Sequence, residues 1–128
     1  MNDIDKELLK EWLEKAEHDL IAASMIIDIN PIILDIACFH CQQAVEKLLK
    51  TFLLFNGQEL IKTHDLNTLL KKCAGIDVDF LSINIKDLNL YAVMARYPEF
   101  IAPELEEAKE YYQIALDVKS LVLLKIKI

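Results

Sequence analysis

Apolar residues near the start of the chain return every three or four positions, as Leu8, Leu9, Trp12, Ala16, Leu20, Ala23 and Ile27, with Lys6, Lys10, Glu14, Lys15 and Glu17 between them. That period predicts an amphipathic helix from Asp5 to Asp28. Asn30-Pro31 ends it, because proline lacks an amide proton and pushes its predecessor out of the helical basin, yet it suits the first position of a new helix. A second helix of about seven turns is therefore expected from near Pro31 to Asn56-Gly57, where glycine can adopt a left-handed terminus. Its apolar stripe is Ala37, Cys41, Ala44, Leu48, Phe52 and Phe55. Thr63 is placed to cap a short helix carrying Leu66, Leu69 and Leu70 and closed by Gly75. The next stretch, 76–82, reads as a connection. A fourth helix is expected from about Asn84 to Arg96, with Leu88, Tyr91, Ala92 and Ala95 on one side and Tyr97-Pro98 as its stop. Pro103 can open a fifth, with Glu104, Glu106 and Glu107 in its first turn and Lys125 and Lys127 at its end, as the helix dipole favours. Leu105, Ala108, Tyr112, Ala115 and Val118 mark its inner face. Leu121-Val122-Leu123-Leu124 is apolar all round, which fits a dimer contact or an enclosed helix end. These elements imply an all-α fold, an antiparallel up-and-down four-helix bundle with one additional short helix, forming a single domain over 1–128.

Composition narrows the function. Hydrophobic residues are 54% and charged residues 27%, with 2 Gly and 3 Pro, which excludes disordered, collagenous and turn-rich β classes. With 14 Lys plus Arg against 21 Asp plus Glu, the net charge of −7 excludes a surface that grips nucleic acid indiscriminately, so any polyanion site must be local. No apolar run is long enough for a membrane span, and the acidic start Met1-Asn2-Asp3-Ile4-Asp5 lacks the pattern of a secretion signal, so a cytoplasmic protein without membrane contact is expected. The 3 cysteines are read as reduced thiols.

Chemistry-bearing residues gather on the second helix. At about 100° per residue, His40, Gln43, Lys47 and Lys50 share a sector of roughly 80°, a combination suited either to phosphate or nucleotide or to a solvated helix face. Arg96 is the sole arginine. Its forked guanidinium can meet an anion or form a structural ion pair at a helix end. His64 reads as a ligand contact or as packing at a cap, and His18 as solvated. Cys38 and Cys41 face one way, with His64 and Cys73 elsewhere, but no second close ligand pair accompanies them, so buried thiols are expected and no metal. Asp77-Val78-Asp79 lacks the Gly-Ser turn or strands that frame paired magnesium-binding aspartates. No catalytic triad and no glycine-rich phosphate loop can be traced, so neither a catalytic residue nor a cofactor is assigned.

Three segments carry a family likeness: Phe39-His40-Cys41-Gln42-Gln43-Ala44-Val45-Glu46-Lys47-Leu48-Leu49-Lys50, Lys62-Thr63-His64-Asp65-Leu66, and Ala95-Arg96-Tyr97-Pro98. They resemble the signature segments of the HEPN domain, the higher-eukaryote and prokaryote nucleotide-binding family, and Trp12-Leu13 with Ala16-Glu17-His18-Asp19-Leu20 resembles its opening. The resemblance implies an antiparallel helical bundle like the C-terminal domain of kanamycin nucleotidyltransferase. It also implies a homodimer, and a separate minimal nucleotidyltransferase partner in pairs resembling toxin–antitoxin modules. By resemblance, His40, Gln43, Glu46, Lys47, Lys50, His64, Arg96 and Tyr97 form the site. Ribonuclease members use an arginine with a histidine shortly after it; the corresponding places beyond Arg96 are Ile101, Ala102 and Pro103. That cleavage motif is therefore missing, and Tyr97 does not match the tyrosine that partner enzymes modify.

The leading expectation is a non-catalytic nucleotide- or phosphate-binding module. Lys47, Lys50 and Arg96 would neutralise phosphate, while His40, Gln43, His64 and Tyr97 orient the ligand. The alternatives are a divergent metal-independent ribonuclease toxin acting on RNA through Arg96 with His64 or His40, and a purely structural assembly domain.

Overall fold

Four α-helices carry the fold, α1 (Asp3–Ile29), α2 (Leu34–Phe55), α3 (Leu66–Ile76) and α4 (Leu105–Lys125), with no strand among the described residues. The computed structural model describes residues 3–127, without the side chains of Asp3, Ile4 and Ala95. Met1 and Asn2, part of the acidic start, and Ala95 on the expected fourth-helix face thus lie outside what is described.

Asn30 and Pro31 break the chain where their chemistry says they should. One 3-10 turn, Pro31–Ile33, follows α1, and the axis swings through 114° before α2 continues. At its far end α2 closes with the two amide bonds of a Schellman cap, Gln58 N to Leu53 O and Gly57 N to Leu54 O, each 3.0 Å. Gly57 takes φ 77° there, the left-handed conformation that glycine tolerates without a Cβ clash.

Helix α2 is the axle of the domain. It packs against α1, α3 and α4, and also against the 3-10 turn Leu88–Ala92. Consequently both its sides are buried: Ala37, Cys41, Ala44, Leu48 and Phe52 on the expected stripe, and Cys38, Val45, Leu49 and Leu53 beside it. Each such leucine contributes about 1.5–3 kcal/mol by leaving water. Phe52 meets Phe80 at a ring separation of 4.5 Å, and Tyr91 packs edge-on against both Phe100 and Tyr111.

Two local expectations change. The cap of α3 is Asp65, whose side chain accepts from Asn67 N at 3.2 Å and from Thr68 Oγ1 at 2.7 Å; Thr63 instead accepts the amide of Asp65 at 3.1 Å. The helix then runs past Gly75 to Ile76. More substantially, 84–96 is not one helix but two 3-10 turns, Leu88–Ala92 and Met94–Arg96. Its asparagines explain why, since short amide side chains compete with helical hydrogen bonds. Asn84 Oδ1 takes the amide of Lys86, which sits at φ 51°, and Asn89 turns its amide onto the start of α3, accepting from Leu66 N at 2.9 Å and donating to Asp65 at 2.8 Å.

Glu104 precedes α4, with Glu106 and Glu107 in the first turn and Lys125 in the last. Lys125 reaches Asp77 at 3.0 Å and Asp79 at 2.5 Å, so that acidic pair clamps the end of α4. In the apolar tail Val122 is buried, whereas Leu123 and Leu124 are exposed. No single helix among the described residues is long and apolar enough to cross a membrane.

Candidate functional site

Two carboxylates organise the polar side of α2. The first is Asp19, which sits in α1 between the buried Ala16 and Ala23 and is itself buried. Its Oδ1 lies 2.8 Å from His40 Nδ1 and its Oδ2 lies 2.5 Å from Lys47 Nζ. Burial pushes the Asp19 carboxyl up, but the hydrogen bonds from His40 and Lys47, with their charges, hold it below the ordinary aspartate value. An ionised carboxylate has no proton to give, so His40 Nδ1 carries the hydrogen and donates. The imidazole is therefore oriented by Asp19 through Nδ1, with Nε2 left as the edge for a ligand.

Glu46 is the second hub. It accepts from Lys50 Nζ at 3.2 Å and from His64 Nδ1 at 2.9 Å. Lys50 and Glu46 are each only 8% exposed, while the His64 side chain is 75% exposed. Gln42, fully buried, donates to the backbone oxygen of His64 at 3.2 Å and receives Gln43 Nε2 at 2.7 Å. The 57–65 loop is thus strapped to α2 by Gln42 and Glu46. Among the described residues no buried side-chain nitrogen or oxygen lacks a hydrogen-bond partner.

The expected single stripe is therefore two. His40 and Lys47 turn to α1, whereas Lys50 turns inward with Glu46 towards His64. Both lysine charges are already countered. Arg96 and Tyr97 are exposed at the end of the turn Met94–Arg96, which packs on α2, but among the described residues neither side chain forms a hydrogen bond or ion pair. The lone guanidinium is free for an anion and is not tied to either hub. Asp19 and Gln42 lie outside the residues that the sequence alone marks as a site. The available signal was a carboxylate at an apolar-stripe position of α1, and an amide one turn before Glu46 on α2.

The thiols stand apart. Cys38, Cys41 and Cys73 are free and buried, and burial pushes Cys38 and Cys73 up to about 12 and raises Cys41 as well. Cys73 faces the backbone oxygen of Leu49 at 3.7 Å. Such thiols stay protonated and serve as small packing groups.

The HEPN domain model matches residues 9–126, which takes in both carboxylate hubs, Arg96 and Tyr97. The chain belongs to the HEPN domain family. Among solved structures it is similar to TT1696 from Thermus thermophilus, at 26% identity and TM-score 0.71, over 92% of this chain and 98% of that one. It also shares its fold with ST0689, described as an archaeal HEPN homologue, at 24% identity and TM-score 0.66, over 93% of this chain and 98% of that one. No curated protein matches the chain. The all-helical architecture with its central α2 is thus a HEPN fold, and the family is one of nucleotide-binding and ribonuclease-like helical domains.

Proposed function

We propose that this HEPN chain is a non-catalytic nucleotide- or phosphate-binding module that works as a homodimer beside a separate minimal nucleotidyltransferase, in a pair of toxin–antitoxin type. The observation that carries the binding role is the Asp19 hub, which holds an imidazole edge and an ammonium side by side on an otherwise acidic chain. Preorganised polar groups of this kind lose little entropy when a ligand meets them, and the Lys47 ammonium is the donor that a phosphate takes. Lys47 reaches a ligand from the edge of the hub, while Lys50 acts by fixing Glu46 and through it His64. Exposed Leu123 and Leu124 offer apolar surface to a second copy.

Calorimetric titration of the purified chain with nucleotides tests the binding role. Saturable heat, weakened several-fold by Lys47→Ala, is expected. Zero heat across all nucleotides, with Lys47 and Arg96 substitutions also leaving partner co-purification unchanged, refutes it. Sedimentation equilibrium separately tests the dimer.

A second reading, a metal-independent ribonuclease, is favoured by one feature: His40 and His64 are each oriented by a carboxylate, as acid–base histidines commonly are. It requires growth arrest and RNA cleavage on expression, both abolished by Arg96→Ala. An inert protein rejects it.

A further inference from the structure

One to two turns before Asp19, Glu11, Trp12 and Lys15 of α1 and Lys47 of α2 line an open groove of about 220 Å³. Three of its four residues are charged, yet its walls are mainly apolar, because the indole and the lysine stems supply carbon surface while the charged heads stand at the rim. Trp12 is half-buried, and among the described residues its indole N–H has no hydrogen-bond partner. The Lys15 ammonium likewise has no ion-pair partner among them, whereas Lys47 is fixed by Asp19.

An aromatic face beside two amines, one free and one held, suits a flat base with a phosphate attached. Stacking is sequence-tolerant, and amines supply the point charges that a phosphate takes. The charge balance limits the phosphate. Asp19 already counters Lys47, so among the described residues Lys15 is the one ammonium of the groove without an ion-pair partner, which suits a single phosphate rather than a chain of them. We propose that this groove binds a nucleoside monophosphate, with the base on Trp12 and the phosphate between Lys15 and Lys47. The assignment rests on the nucleotide-binding reading above and adds Trp12 and Lys15 to it.

Trp12 is the only tryptophan, so its emission reports the groove alone. The full chain is titrated with AMP, GMP, CMP and UMP, with ATP, adenosine and ribose 5-phosphate alongside, by fluorescence and by calorimetry. Saturable quenching by a monophosphate is expected, with ATP binding no more than a few-fold tighter and ribose 5-phosphate giving no quenching. Trp12→Ala should weaken binding by about 5- to 150-fold, as loss of one stacked base does. Trp12→Phe, which keeps the ring, should retain binding within a few-fold, and exposed Lys15→Ala should weaken it several-fold without moving the thermal midpoint. Nucleotide heat with unchanged Trp12 emission, and with Trp12→Phe and Lys15→Ala titrating like the parent, overturns the groove and leaves the binding reading standing. An absence of heat for every nucleotide overturns the groove, and with partner co-purification also unchanged by the Lys47 and Arg96 substitutions it overturns both.

Discussion

Replacing Glu46 with alanine leaves the Lys50 ammonium inside the protein with no countercharge. The two groups are 3.2 Å apart and each is 8% exposed, so neither can recover its water shell without local opening. Removing one partner of a buried pair costs about 3–5 kcal/mol, because the surviving charge stays desolvated. That is a large part of the roughly 5–15 kcal/mol that holds a domain of this kind folded. At about 3–4 °C per kcal/mol for a chain of intermediate length, the midpoint should fall by about 10–20 °C. The double substitution Glu46→Leu with Lys50→Met removes both charges together, and should lie close to the parent or above it. His64→Ala separates the other bond of Glu46; on so exposed a side chain it should cost under about 1 kcal/mol. Urea and thermal denaturation followed by far-ultraviolet circular dichroism read all four proteins. The inward placement of Lys50 is refuted if Glu46→Ala loses under about 1 kcal/mol, or if the double variant loses as much as Glu46→Ala does.

Three further outcomes follow from the same contacts. Because Asp19 is held below its ordinary value, its contribution to stability is complete above about pH 4 and is lost as pH falls through the lowered native value; urea midpoints measured across that acid range should show a limb that Asp19→Asn flattens. Asp65→Ala removes acceptors used by Asn67, Thr68 and Asn89 and should cost about 1–2 kcal/mol, with Asp65→Asn keeping most of the cap, as thermal melts will show. With Cys38 and Cys73 pushed up to about 12 and Cys41 also raised, iodoacetamide at neutral pH should leave the native thiols unmodified and label all three once urea unfolds the chain, as intact-mass measurement would record.

The sequence by itself determined what depends on neighbours along the chain. The period of Leu9, Ala16, Leu20, Ala23 and Ile27, the break at Asn30-Pro31 and the left-handed glycine at Gly57 are local facts, and α1, α2 and α4 stand close to where they place them. The family segments were also legible, since they are contiguous. Tertiary structure decided which charge meets which. His40 and Lys47 find Asp19 at separations of 21 and 28 residues, and Asn89 leaves helix formation in 84–96 to serve Leu66 and Asp65, 23 and 24 residues away. It also decided that Lys50 points inward, although its helical position next to Lys47 reads as solvent-facing. Helix propensity is set within a turn or two, but the burial of a charge and its partner is set by whichever element packs across from it.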